Sequence, residues 1–69
     1  MTEREKDTLK FIIDFKKTNG FSPTIKEIAS GINTSSTPHV RNMIAHLVEE
    51  GYITVKEHKQ RTIVVKKFI

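Results

Sequence analysis

The 69-residue sequence predicts a mainly α-helical domain of three helices that ends in a small antiparallel β-hairpin. Between residues 24 and 50, apolar side chains recur at the i, i+3, i+4, i+7 spacing of a helix in two consecutive segments. The polar interruption between them is so short that the two helices must cross at a steep angle and share one apolar pocket. After Gly51 the pattern changes to a period of two, which is typical of strands. Two crossed helices followed by a hairpin form a winged helix-turn-helix.

A first helix is predicted to begin at Thr2, because Thr2 and Glu5 have the spacing of a capping box. Gly20 is expected to end it, as glycine commonly ends helices. Phe11 and Phe15 widen its apolar face beyond what a small core requires. We favour their being covered by the apolar C-terminal end of the chain; the alternative is a partner or dimer surface.

The second helix is predicted to begin near Ile25, since Thr24 and Glu27 repeat the capping-box spacing. Residues 21–23 form an extended link before it, and this link is expected to add a brief strand to the sheet. The free amides of the helix start, with the hydroxyls of Ser22 and Thr24, can bind a backbone phosphate. These groups can equally serve only to cap the helix.

The third helix is predicted over about residues 36–49. Asn33 is placed where the chain leaves helix two, and asparagine tolerates a left-handed conformation. Pro38 fits only in the first turn of the next helix. Three residues before it are alternative N-caps, namely Ser35, Ser36 and Thr37.

The outward face of this third helix carries small or hydrogen-bonding side chains at its start and acids at its end. It consists of Pro38, Asn42, Ala45 and Glu49, flanked by His39, Arg41 and His46. Such a face suits insertion of the N-terminal half into a DNA major groove, where Arg and Asn read base edges and Ala allows close approach. For Arg41, contact with a base or a phosphate is favoured over a surface ion pair. For Asn42, contact with adenine and simple exposure to solvent are equal alternatives. A metal site made of the three histidines is disfavoured, because their spacing is not that of metal ligands.

The net charge of +4 lies entirely in the last nineteen residues, which carry five basic side chains and one acidic one. The segments 52–56 and 62–66 are rich in β-branched residues and flank a polar tip that contains Lys59 and Arg61. We expect these two cations to straddle phosphates or to enter the minor groove. The charge distribution therefore favours a polyanionic partner.

Length and composition exclude several other functions. One domain is expected to account for residues 1–69, and the absence of cysteine excludes a disulfide framework or a thiolate zinc site. No apolar run approaches the ~18 residues that span a bilayer, so we expect a cytoplasmic, DNA-associated protein without membrane contact. Since no serine has a basic partner at a recognisable motif spacing and no phosphate-binding loop occurs, we expect neither an enzyme, nor a cofactor, nor a small-molecule substrate.

Four motifs in this order and spacing resemble the N-terminal DNA-binding domain of LexA-type SOS repressors. They are Thr2-x-Arg4, Gly20-Phe21-Ser22-Pro23-Thr24, Glu27-Ile28-Ala29 and Leu47-x-x-x-Gly51-Tyr52-Ile53. The resemblance implies that helix three reads operator bases and that the wing touches backbone. By this resemblance the readout positions are Ser36, Pro38, His39, Arg41 and Asn42, and the wing positions are Lys59 and Arg61.

At several of those readout positions the side chains differ from the pattern of the family. We therefore do not assume that this chain binds the operator sequence of the family. The self-cleaving, dimerising C-terminal domain of the family has no counterpart within these residues, so self-cleavage and damage response are not expected of this polypeptide.

The sequence thus predicts a sequence-specific, double-stranded-DNA-binding transcriptional regulator, a repressor by resemblance. Tight binding by so small a domain is expected to require a homodimer on a two-fold operator. The alternative is a winged-helix protein-interaction module whose docking face is formed by Phe11, Phe15 and Phe68.

Overall fold

The computed structural model describes residues 1–56 and 59–67. Three helices and a two-stranded antiparallel sheet follow one another in the predicted order, which confirms the winged helix-turn-helix. The elements are α1 (Glu3–Asn19), α2 (Ile25–Gly31), α3 (Thr37–Glu49), β1 (Ile53–Thr54) and β2 (Val64–Val65).

Helix α1 is bounded by the two signals that its sequence predicts. The Oγ1 atom of Thr2 accepts from the Glu5 amide at 3.2 Å, and Oε1 of Glu5 accepts from the Thr2 amide at 2.8 Å. At the other end, Gly20 has a φ of 80° and its amide donates to the Lys16 carbonyl. Both capping predictions are confirmed.

The start of α2 repeats the reciprocal bonds of the capping box, between Thr24 and Glu27. Asn33 adopts the predicted left-handed conformation, with a φ of 63°. Of the three candidate caps of α3, Ser36 is the one used, because its Oγ accepts from the His39 amide at 3.2 Å. The turn between α2 and α3 is therefore closed by local hydrogen bonds.

The hydrophobic core lies where the three helices meet the hairpin. Its buried side chains are Leu9, Ile12, Ile28, Ala29, Ile32, Val40, Met43, Ile44, Leu47, Ile53 and Ile63. Val48 belongs to the apolar repeat of α3 in the sequence, but its side chain is 41% exposed. Among the described residues, the helices are too short or too polar to cross a bilayer.

Phe11 and Phe15 are partly buried by α2 and by the link that precedes it. The Phe11 ring occupies the space that a side chain at Gly31 would need. The Phe15 ring lies 5.8 Å from the Phe11 ring and 5.8 Å from the Phe21 ring, centroid to centroid. The predicted cover by the C-terminal Phe68 and Ile69 lies outside the described residues.

The hairpin is shorter than the sequence predicts, with only two residue pairs, Ile53 with Val65 and Thr54 with Val64. The expected additional strand at residues 21–23 is wrong, since the sheet contains only β1 and β2 in the described part of the chain. The physical reason is that the link meets the hairpin through the Ser22 hydroxyl, which accepts from the Ile63 amide at 3.2 Å. Pro23 has no amide proton to donate to a strand ladder.

Candidate nucleic-acid interface

The predicted outward face of α3 is exposed along its N-terminal half. Its exposed side chains are Pro38, His39, Arg41, Asn42 and Ala45. On the opposite side of the helix, Val40, Met43, Ile44 and Leu47 are buried in the core. Before the helix, Ser35 and Ser36 are exposed, whereas Thr37 is partly buried. The helix therefore offers one exposed surface of small and hydrogen-bonding side chains, of the kind that fits a DNA groove.

A groove between α3 and the hairpin joins this face to the cationic wing. Arg41 of α3 lines it together with the hairpin residues Lys56, Lys59 and Arg61. Pro23, Thr24 and Ile25, around the start of α2, also line it, and none of the described lining residues is acidic. The structure thus brings Arg41 and Lys59 to one concave surface, although 18 positions separate them in the sequence.

Arg61 differs from its prediction as an outward phosphate contact, because its guanidinium turns back onto α2. Nη1 and Nη2 donate to the two carboxylate oxygens of Glu27 at 2.9 and 3.1 Å. Nη1 also donates to the Ser22 carbonyl, and the guanidinium lies 4.6 Å from the Phe21 ring centroid. The hydrogen bonds from Arg61, followed by that from the Thr24 amide, lower the pKa of Glu27. Arg61 is thus engaged within the domain.

Ser22 was predicted to contact a phosphate, whereas in the fold it is only 3% exposed. Its hydroxyl accepts from the Ile63 amide and its carbonyl accepts from Arg61. Thr24 is partly buried, and its hydroxyl accepts from the Glu27 amide. The Glu27 carboxylate also accepts from the Thr24 amide, so an acid of the protein itself offsets the positive end of the helix dipole. This arrangement matches the alternative that these groups cap the helix.

His46 was predicted to face DNA, and its side chain is 62% exposed but bonded to α1. The Nδ1 atom of His46 lies 2.7 Å from Oε2 of Glu5, so the ring is directed at α1. Glu5 is 5% exposed, and its carboxylate therefore needs a partner in the fold. A carboxylate oxygen of Glu50 also lies within 4.8 Å of a carboxylate oxygen of Glu5 and of a ring nitrogen of His46. Because both Glu5 oxygens already have hydrogen-bond partners, we interpret this group as a structural ion pair.

The pair shifts the pKa values of its members in opposite directions. The hydrogen bond and the charge of Glu5, with smaller contributions from Glu50 and Glu49, raise the pKa of His46. The Thr2 amide, and then the His46 hydrogen bond, lower the pKa of Glu5. Sequence reasoning missed the contact, although Glu5 lies four residues before Leu9 on the apolar face of α1. An acid at that position signals a buried partner.

Replacing His46 by Gln is expected to reduce the Tm in a pH-dependent way. The contribution of Glu5 is present above its ordinary pKa of 4.5 and is lost as the pH falls through the lowered folded value. The contribution of His46 is complete below its ordinary pKa of 6.5 and is lost as the pH rises through the raised folded value. The difference in Tm between wild type and variant should therefore be largest between pH 4.5 and 6.5.

The measurement is a set of thermal melts by circular dichroism across this range and into the alkaline region. His39→Gln, which changes an exposed histidine of the same helix outside the Glu5, His46 and Glu50 group, is the matched control, and its Tm should stay close to that of wild type. A Tm difference that is constant from acid to alkaline pH would mean that the charge of His46 does not contribute.

The disfavoured metal site would have required all three histidines. His58 lies outside the described residues, and His39 is not part of the group formed by Glu5, His46 and Glu50. Of the three residues of the alternative docking face, Phe68 lies outside the described residues, and Phe11 packs over Gly31.

Comparison with known proteins gives one consistent result. Residues 1–62 match the family model described as the LexA DNA binding domain. The LexA repressor of Myxococcus xanthus is 36% identical over 67 residues, which cover 97% of this chain and 30% of that protein. That of Thermotoga petrophila is 36% identical over 69 residues, covering 100% and 34%. That of Lactobacillus johnsonii is 37% identical over 62 residues, covering 90% and 30%. The chain thus spans about a third of the length of these curated relatives.

Proposed function

Because the chain belongs to the LexA DNA-binding-domain family, we propose that it binds double-stranded DNA sequence-specifically and represses transcription. The observation that carries this proposal is the groove in which Arg41 of α3 and Lys59 of the hairpin face the same space. A surface that combines an exposed helix face with cations at one side matches both parts of DNA recognition. The helix supplies base contacts and the cations supply phosphate contacts.

In this proposal the N-terminal half of α3 enters the major groove, which is about 12 Å wide and admits a helix. Arg41 and Asn42 reach base edges, and the small Ala45 lets the helix approach closely. Glu49 lies at the far end of α3, where its charge would repel phosphate, so that end points away from DNA.

Phosphate contacts are assigned to Lys59 and Lys56 of the hairpin. Both are exposed in the groove that contains Arg41. A helix in the major groove and lysines on the adjacent backbone fix the orientation of the domain on the duplex. The domain then acts as a regulator through binding, without a catalytic step.

We further propose that two copies act together on a two-fold operator. A single module of this size buries about 600–1,000 Å² on DNA, which is less than the 1,000–2,500 Å² typical of specific complexes. Two copies bound to inverted half-sites double the contact area and place the half-sites one helical turn or a multiple apart.

Selection from a pool of randomised duplexes tests this function. At low salt, the wild-type protein should enrich one sequence motif, and the enriched duplexes should carry it twice in inverted orientation with fixed spacing. The affinity for the enriched duplex should fall steeply as salt rises, because phosphate-bound counterions are released on binding.

Lys17→Ala serves as a control in this experiment, because Lys17 is an exposed lysine of α1 that does not line the groove. It should enrich the same motif as wild type. A folded wild-type protein that enriches no motif would refute sequence-specific binding, and enrichment of single, unpaired motifs would refute the dimer.

A further inference from the structure

The hairpin is attached to α2 and to the segment before it by a set of contacts that we call the latch, formed by Phe21, Ser22, Glu27 and Arg61. The Arg61 guanidinium makes two hydrogen bonds to Glu27 and one to the Ser22 carbonyl, and it lies over the Phe21 ring. Next to it, the Ser22 hydroxyl accepts from the Ile63 amide. These contacts join residues that are 34 to 41 positions apart.

The strands alone are too short to fix the direction of the hairpin. They form two residue pairs, and a two-stranded hairpin is marginal without further packing. Beyond the strands, the Thr62 hydroxyl accepts from the Lys56 amide at 3.1 Å and lies 3.2 Å from the Lys59 carbonyl, to which it can donate. These bonds hold the loop around Lys59 together but do not attach it to the helices. Ile53 and Ile63 anchor the hairpin in the core, and the latch adds a polar attachment at Arg61.

The backbone of Arg61 supports the same conclusion. Its φ is 57°, in the left-handed region that a residue with a Cβ rarely adopts. Such a conformation persists only where the surrounding contacts determine it, and it is found where function requires a particular geometry. Here it coincides with the residue whose side chain makes the bidentate contact to Glu27.

We propose that Arg61 and Glu27 are positioning residues that hold Lys59 at a set distance from Arg41, so that the base-reading helix and the phosphate-binding wing are arranged before DNA arrives. This inference rests on the proposed function. Its physical basis is preorganisation, since a wing that is already in place loses less freedom on binding. The competing possibility is that a DNA phosphate draws Arg61 away from Glu27.

Glu27→Gln and Arg61→Lys separate these possibilities. Glutamine at position 27 keeps the capping box, because its amide oxygen still accepts from the Thr24 amide, but it loses the charge that binds Arg61. Lysine at position 61 keeps a positive charge for a phosphate but loses the planar fork and the stacking. If the latch positions the wing, each variant weakens binding to the enriched duplex by up to about fivefold. The slope of log affinity against log salt remains that of wild type, since no phosphate contact is lost.

The opposite pattern would overturn the proposal. If Arg61 is a phosphate contact, Glu27→Gln tightens binding by freeing the guanidinium, and Arg61→Lys binds nearly as wild type. Arg61→Ala then lowers the salt slope by about 0.9. If the latch is right, Glu27→Gln combined with Arg61→Ala is no weaker than Arg61→Ala alone, because both substitutions break the same contact.

Two controls distinguish a loosened hairpin from an unfolded domain and from a failure of the proposed DNA binding. Thermal melts of each variant, with amide exchange at Ile63, report whether the domain is intact while the hairpin attachment has loosened. A wild-type protein that enriches no duplex indicates failure of the proposed function itself. A wild-type protein that enriches a motif while both variants retain wild-type affinity refutes only the latch.

Discussion

Replacement of Leu47 by Ala is expected to lower the free energy of unfolding by about 2–5 kcal/mol. Leu47 is fully buried on the inward face of α3, and its backbone carbonyl accepts from the Tyr52 amide that leads into the hairpin. Truncation removes apolar contacts and leaves a cavity that a close-packed core fills only in part. A domain of this length has a total stability of only about 3–10 kcal/mol. The variant should therefore be marginally folded or unfolded at moderate temperature.

The adjacent residue provides the control. Val48 is 41% exposed, so Val48→Ala should change the free energy of unfolding by no more than about 0.5 kcal/mol. Urea denaturation followed by circular dichroism measures both variants against wild type. Equal losses for the two substitutions would contradict the orientation of α3 in this fold.

The helix boundaries were predictable from the sequence because the interactions that set them are local. Thr2 and Thr24 each reach an amide three residues away, and the partner glutamates return the bond at the same spacing. Gly20 and Asn33 occupy left-handed positions that few other residues accept. No knowledge of the tertiary structure was needed at these four points.

The length of the strands was overestimated from the sequence. The reason is that a β-branched residue indicates a good fit to a sheet but not the presence of a partner strand. Tyr52 shows the difference: its carbonyl accepts from both the Lys66 and Lys67 amides, so regular pairing begins only at Ile53. The link at residues 21–23 likewise forms no strand, because no partner strand pairs with it in the described part of the chain.

The exposed face of α3 was predictable from periodicity, since the position of the apolar stripe determines the opposite side. The partners of the charged groups were not. The chain has twelve basic and eight acidic residues, so a pair such as Arg61 and Glu27 has no distinguishing signal in the sequence. From charge alone, Arg61 and His46 are both predicted to contact DNA. In the fold, Arg61 binds Glu27 of α2 and His46 binds Glu5 of α1.

Arg41→Ala is expected to weaken binding to the enriched duplex about 10- to 100-fold, while affinity for random duplex changes little. The reason is that a well-oriented bidentate contact to a base edge discriminates by about 1–3 kcal/mol. Arg41 is exposed in the groove that also contains Lys59, and Ile44 next to it anchors that side of α3 in the core. Equilibrium titrations of labelled enriched and random duplexes at one fixed salt concentration measure the ratio of the two affinities.

Lys59→Ala is the matched comparison, because it also removes one positive charge from the same groove. A lysine that binds a phosphate carries no base information, so its loss should weaken the enriched and random duplexes by the same factor and reduce the salt slope by about 1. The two variants thus lose the same charge but different properties: Arg41→Ala loses selectivity, and Lys59→Ala loses salt-dependent affinity. If both substitutions reduced affinity for all duplexes equally, Arg41 would be a second phosphate contact, and base reading would have to come from other residues of α3 such as Asn42.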